Sequence, residues 1–323
     1  MRPLVVVANR LPVRRGKDGG WERSPGGLVS ALAPCIEARQ GRWIGWSGGA
    51  GVDAPPERQD GIEVQSIALS RNEIQEYYEG CSNRSIWPLY HNAIRPSQYR
   101  RGWWNRYRDV NERFAEAAAE ATPDDGIVWV QDYQLQMVPA MIRRRRPGLR
   151  IGFFLHIPFP PPDLFGQLPY RKDLLEGLLG ADVLGFQTDR AATNFHRTVR
   201  ALMSGVEARG EDLIHEGRRI RVRVHPISID ARRYQSKAAE PEVLARSRAV
   251  RRHVGEPRDV LIGVDRLDYT KGIDLRLAAF QRMLRRHPER VESTKLIQVA
   301  VPSREGVADY AHQRARVERL VAE

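Results

Sequence analysis

Residues 260–272 read Val-Leu-Ile-Gly-Val-Asp-Arg-Leu-Asp-Tyr-Thr-Lys-Gly and set two fixed cations where a phosphate could bind. The stretch 260–264 has the apolar, β-branched character of a buried parallel strand. Arg266 and Lys271 follow it. Gly272 then opens an amphipathic helical pattern carried by Ile273, Leu277, Phe280 and Leu284. Strand, basic loop and helix N-terminus together make an anion site, because unpaired backbone N–H groups and the helix dipole both favour negative charge. Arginine offers a planar fork for phosphate oxygens and lysine a mobile point charge, so a diphosphate suits this loop. An ordinary βα loop with two solvated cations is the competing reading.

A second set of the same character lies at the N-terminus. The buried-strand pattern Leu4-Val5-Val6-Val7-Ala8 is followed by Asn9-Arg10-Leu11-Pro12, and a loop then leads to Ser24-Pro25-Gly26-Gly27-Leu28. Gly26 and Gly27 stand just before a helix, where backbone can approach a ligand without side chains intervening. A Gly-Gly pair alone is usually a turn. An arginine at the strand's carboxyl end and glycines at the helix start make a stronger unit, since ligands of open α/β sheets bind outside the carboxyl ends of the strands.

With these residues in view, the chain resembles the trehalose-6-phosphate synthases of glycosyltransferase family 20. Five motifs carry the resemblance in order: Asn9-Arg10-Leu11-Pro12, Ser24-Pro25-Gly26-Gly27-Leu28, Trp43-Ile44-Gly45-Trp46, Phe153-Phe154-Leu155-His156-Ile157-Pro158-Phe159-Pro160 and Arg266-Leu267-Asp268-Tyr269-Thr270-Lys271-Gly272. Gln131-Asp132-Tyr133-Gln134, where many members have histidines around Asp-Tyr, is similar to the actinobacterial branch. The resemblance implies an α/β fold of GT-B type, with two Rossmann-like domains and parallel sheets. It also implies a retaining glucosyltransferase, cytoplasmic and metal-independent, that joins UDP- or GDP-glucose to glucose 6-phosphate without a cofactor. A homo-oligomer is allowed.

The resemblance further assigns roles. Arg266 and Lys271 hold the donor's diphosphate, with Gly26 and Gly27 on the donor side. Arg10, Tyr78, Trp87 and Arg304 hold the acceptor's 6-phosphate. Asp132 accepts from the acceptor's sugar hydroxyls; capping the next helix is its competing role. His156, ahead of the proline-rich loop 157–162, contacts the donor glucose near the reacting carbon. No carboxylate pair of the kind used in double displacement can be picked out, and no His/Cys/Asp cluster has metal spacing. Both agree with what the resemblance implies, transfer on one face of the sugar with the leaving diphosphate helping to deprotonate the incoming hydroxyl. Two alternatives stay open: a cyclitol-coupling pseudo-glycosyltransferase of the same fold, and an inactive sugar-phosphate-binding fragment.

The elements that must position these residues alternate between strand and helix. Buried-strand patterns fall at 4–8, 127–130, 151–155, 183–186 and 220–224, with helical patterns at 103–121, 136–146, 174–179 and 191–203. That alternation predicts right-handed βαβ units and a mainly parallel sheet. We expect an acceptor domain over 1–227, a polar, helix-prone connection over 228–257, and the start of a donor domain over 258–323. The last segment shows two strands, too few for an independent sheet; the expectation is a chain truncated relative to its family.

Composition sets the outer bounds. The 323 residues carry 41% apolar side chains, ample for a core, and a net charge of +12 from 52 Lys and Arg against 40 Asp and Glu. Such a balance suits phosphorylated small molecules, nucleic acid or anionic membranes. The cations are dispersed, and the run Arg143-Arg144-Arg145-Arg146 reads as a solvated helix C-terminus, so nucleic acid is not expected. No segment has the roughly 20 apolar residues of a membrane span. The two cysteines, Cys35 and Cys81, read as small core residues rather than a disulfide.

Overall fold

Runs of β-branched and aromatic residues become the strands of a ten-stranded sheet. The computed structural model describes residues 2–16, 18–24, 26–51, 54–302 and 308–322. In chain order the strands begin with β1 (Leu4–Arg10), β2 (Val13–Arg15) and β3 (Trp21–Arg23). They continue with β4 (Arg42–Trp46), β5 (Arg58–Gln59) and β6 (Ile62–Ser66). Next come β7 (Ile127–Gln131), β8 (Arg150–Leu155) and β9 (Val183–Phe186), then β10 (Val206–Arg209), β11 (Asp212–His215) and β12 (Arg218–Val224). Last are β13 (Asp259–Arg266) and β14 (Thr294–Val301).

The large sheet has the order β10-β11-β12-β9-β8-β7-β1-β4-β6-β5. From β12 across to β6 every pairing is parallel; the pairings β10-β11, β11-β12 and β5-β6 at the two ends are antiparallel. The chain builds outward from β1 to β4 and β6, then returns to lay β7 on the other side of β1. The strand order therefore reverses between β1 and β7, which is where open α/β sheets bind ligands. Val6, Val7, Val128 and Val130 are fully buried there; Val6 packs with Val29, Leu32 and Ile36 of the helix Gly27–Glu37, and the helix Arg101–Ala121 buries Tyr107, Val110 and Phe114.

The chain divides into two compact units, Met1–Ser228 and Ile229–Glu323. The second carries the helices Ala231–Ala238 and Pro241–His253 over the stretch expected as a connection, the parallel pair β13-β14, and the helices Ile273–Arg286 and Ala308–Ala322. No helix among the described residues is long and apolar enough to cross a membrane.

Three expectations need correction. Residues 260–264 do form a strand, but not a buried one: β13 pairs with β14 alone among the described residues, and Ile262 and Val264 are 71% and 67% exposed. Cys35 is exposed, on the outer side of the helix Gly27–Glu37, whereas Cys81 is buried as expected. The arginine run is not merely solvated. Arg143 donates to the carbonyls of Gly180, Pro147 and Leu149 and to Asp182, and Arg146 donates to those of Ala119 and Thr122. Four donors in a rigid fork let one arginine satisfy a whole loop of backbone acceptors.

Candidate functional site

Arg10, Asp132 and His156 stand at or just past the carboxyl ends of β1, β7 and β8, three neighbouring parallel strands. Trp46 ends β4 on the far side of β1. The four thus share one edge of the sheet, astride the reversal of strand order.

Arg10 is held by aromatic faces. Its guanidinium carbon lies 4.0 Å from the centroid of the Trp46 ring and 5.4 Å from that of Tyr78, and those rings meet edge to face at 5.4 Å. Cation–π contact fixes the fork without consuming its N–H donors. The backbone is held too: Trp43 Nε1 donates to the Arg10 carbonyl at 2.9 Å, and Leu11 N to that of Trp46 at 2.9 Å. Gly48, at φ 107°, leaves the space the fork occupies; a Cβ there would sit 1.8 Å from an Arg10 guanidinium nitrogen. An anchored arginine on an aromatic platform is suited to a phosphate.

Tyr78 belongs to the π-helical segment Ile74–Ile86, whose end is marked by the Trp87 N–H reaching back to Ser82 O. Ser70 and Glu73 form a reciprocal capping box where this region begins. The wider turns bring Asn83 between two parts of the site. Its Nδ2 donates to Tyr78 O at 2.7 Å, and its Oδ1 accepts from the Tyr133 hydroxyl at 2.8 Å. Trp87 is buried, its ring 5.4 Å from that of Tyr133. The expected acceptor group Arg10, Tyr78 and Trp87 is thus joined through side chains to the loop that bears Asp132.

That loop is held from beneath. Tyr107 donates to Tyr133 O and accepts from Gln136 N, while Asn111 bonds Gln134 O and Met137 N. Asp132 itself takes a positive φ of 72°, uncommon for a residue other than glycine. Its side chain does not cap the following turn. Instead Oδ1 accepts the backbone N–H of His156 at 3.1 Å, and the Asp132 N–H donates to Phe154 O at 2.8 Å. His156 Nε2 lies 2.9 Å from Gln131 Oε1. Burial pushes the His156 imidazolium below its ordinary pKa, and the Asp132 carboxylate offsets only part of this.

Gly26 precedes the helix Gly27–Glu37 with φ 148° and ψ 154°, a conformation essentially confined to glycine. Nothing lies within 4 Å of where a Cβ would stand at either Gly26 or Gly27.

In the second unit, Arg266 ends β13 and Lys271 closes the short turn Tyr269–Lys271, with Gly272 at φ 62° leading into the helix Ile273–Arg286. A residue that sequence reasoning left without a role organises this loop. Asp268 is fully buried; its Oδ1 accepts from Thr270 N and Oγ1, and its Oδ2 accepts from the Tyr310 hydroxyl at 3.2 Å. Arg266 Nη2 stands 3.8 Å from the same carboxylate. Arg304 lies outside the described residues. Among those residues no group of three or more His, Cys, Asp or Glu could hold a metal ion.

Comparison with known proteins decides the family. The model of glycosyltransferase family 20 matches residues 2–323. The chain belongs to glycosyltransferase family 20. The trehalose-6-phosphate synthase of Mycobacterium ulcerans is 49% identical over 98% of this chain and 67% of its own length. A trehalose-6-phosphate structure from E. coli bound with UDP-2-fluoro glucose has a TM-score of 0.85 at 33% identity, covering 98% of this chain and 69% of that one. An alpha,alpha-trehalose-phosphate synthase (UDP-forming) from Burkholderia xenovorans in complex with glucose-6-phosphate has a TM-score of 0.84 at 28% identity, over 98% and 70%. This family 20 chain therefore spans about two thirds of the length of these relatives, and its α/β architecture is of the GT-B type that the resemblance implied.

Missed in the sequence were Trp46, Asn83, Gln131 and Asp268 as parts of the site. Trp46 could have been found, since it ends the strand that must pair with β1. Asn83 joins Tyr78 to Tyr133, fifty residues further on, while Gln131 and Asp268 stood in the quoted motifs without a role, and only the fold shows their partners.

Proposed function

We propose that this chain provides the acceptor side, and the diphosphate-holding start of the donor side, of a retaining trehalose-6-phosphate synthase. Glucose 6-phosphate is the acceptor and UDP- or GDP-glucose the donor. The observation that carries the reading is the set of Arg10, Asp132 and His156 at the ends of three adjacent parallel strands, with Arg10 seated on Trp46 and Tyr78.

In this reading Arg10, Tyr78 and Trp87 hold the acceptor's phosphate, and the family resemblance assigns Arg304 to the same group. Asp132, already accepting one backbone N–H, takes sugar hydroxyls, and His156 contacts the donor glucose. Arg266 and Lys271 stabilise charge that grows on the leaving nucleoside diphosphate, the largest kind of electrostatic contribution in such transfers. The bond from the sugar's anomeric carbon to the diphosphate breaks as the acceptor oxygen bonds to the same face. The acceptor's proton passes to the departing diphosphate, so no protein base is required.

A coupled assay of nucleoside diphosphate release tests this, with UDP- or GDP-glucose and with or without glucose 6-phosphate. It is run on this chain and on one carrying the further third that the relatives possess. Acceptor-dependent release supports the reading. No release by a folded, extended enzyme moves the assignment to a cyclitol-coupling relative or a binding-only protein.

A further inference from the structure

One contact at the site edge fixes more than position. Gln131 is fully buried at the end of β7, so water offers its amide no alternative partner. Its Nε2 faces the Trp129 carbonyl at 3.4 Å, and its Oε1 faces His156 Nε2 at 2.9 Å. A carbonyl can only accept, which turns the amide's NH2 toward Trp129 and its oxygen toward the histidine. The histidine nitrogen facing that oxygen must then be the one that carries the proton.

We infer that Gln131 is a positioning residue that holds His156 as the Nε2–H tautomer and leaves Nδ1 as the acceptor nitrogen for a sugar hydroxyl. The backbone half of the same clamp is Asp132 Oδ1 on His156 N, so ring and main chain are fixed from consecutive residues of one strand end. Burial of the imidazole works in the same direction, favouring the neutral ring; Asp132 is the charged group that opposes it. A glutamine is a sound choice for this task. It accepts as a carboxylate would but adds no charge, so it orients the ring without protonating it. The use of Nδ1 toward a sugar rests on the function proposed above; the tautomer does not.

The decisive measurement is nitrogen-15 NMR of the unmodified chain labelled at histidine, with His156 identified by its loss in His156→Asn. The expected result at neutral pH is a neutral ring protonated on Nε2. A ring protonated on Nδ1, or charged at neutral pH, overturns the inference. Gln131→Leu keeps the shape but removes the acceptor, and should abolish the tautomer bias; persistence of the Nε2–H form there also overturns it. Gln131→Glu should keep the orientation and raise the pH at which His156 becomes charged. In a turning-over enzyme Gln131→Leu should lower kcat about tenfold, the order of one net hydrogen bond, with the KM for glucose 6-phosphate unchanged. Gln131→Glu should recover part of kcat at high pH and shift the acid limb of the profile upward. Absent turnover in the parent enzyme counts against the proposed function alone, because the NMR result still decides Gln131.

Discussion

Arg10 depends on a glycine far along the chain, because Gly48 leaves the volume its guanidinium fills. Gly48→Ala should act in two ways. Its φ of 107° would strain any Cβ-bearing residue, at a cost of about 1–2 kcal/mol. The methyl group would also push the flexible end of Arg10 off Trp46. Melting should show the first effect, and a raised KM for glucose 6-phosphate the second. Arg10→Ala should raise that KM by about 10- to 100-fold, the range for one charge-assisted pair, and leave melting nearly unchanged; an unaltered KM would remove Arg10 from the phosphate site. Arg10 itself was legible from its place after a buried strand. Gly48 was not, because nothing in a glycine's neighbours reveals which distant side chain needs its space. Trp87, named for the acceptor, is buried with its ring 5.4 Å from that of Tyr133, a neighbour that sequence alone does not reveal.

At the scale of elements, the strands β1, β7, β8, β9 and β12 of the first unit were readable, whereas β2 to β6, β10 and β11 and the contacts that fix strand ends were not. Apolar runs at β1, β7, β8 and β9 declare themselves by composition. The edge strands β10 and β11 are short and mixed in polarity, so they give no such pattern, and the π-helical segment Ile74–Ile86 has no sequence period of its own. Arg143 shows what was hidden. It ties the helix Val138–Arg145 to the loops before β8 and β9 through three carbonyls and Asp182. Arg143→Met keeps the aliphatic stem and loses the fork, so it should destabilise the first unit by roughly 2–3 kcal/mol, the cost of leaving such acceptors unpaired. A urea midpoint unchanged by this substitution would return the arginine run to a solvated helix end. Asp212 plays a related part on the sheet edge. Burial alone would raise its carboxyl, but hydrogen bonds from Arg223 (2.7 Å) and Arg219 outweigh it and hold the group below the usual carboxylate range. A carboxyl lowered in the folded state contributes stability that is complete above its unfolded value of about 3.9. That contribution is lost as pH falls through the folded value. Asp212→Asn should therefore be less stable than the parent at pH 6, yet lose less stability between pH 5 and 2.5. Parallel acid limbs for the two proteins would show that Asp212 is not the group being titrated.

For the whole molecule, the two units differ in what they can bury. The first holds a ten-stranded sheet whose central parallel strands are covered by helices, and its large aromatic side chains, among them Trp43, Tyr107, Phe114, Phe153 and Phe195, are fully enclosed. The second has a two-stranded sheet, and Leu261, Ile262, Val264, Val299 and Val301 on it are exposed. Two strands do not make a stable sheet in water, and an apolar strand with an open edge invites pairing with other chains. Sequence pattern conveyed both strands of the second unit although they are exposed, since composition reports what a strand is fit to touch and not whether a neighbour is present. Expressed separately, residues 2–228 should unfold in one cooperative step and bind little hydrophobic dye. Residues 229–323 should bind the dye strongly, self-associate as concentration rises, and show no sharp transition. The second fragment should behave better when Ile262 and Val264 are replaced by threonine, which keeps the β-branched shape while removing apolar surface. Sharp, concentration-independent melting of unaltered 229–323 would mean that the helices Ile273–Arg286 and Ala308–Ala322 suffice to hold the loop bearing Arg266 and Lys271 in place. Failure of both versions would locate the stability of that loop in contacts beyond the exposed face of β13.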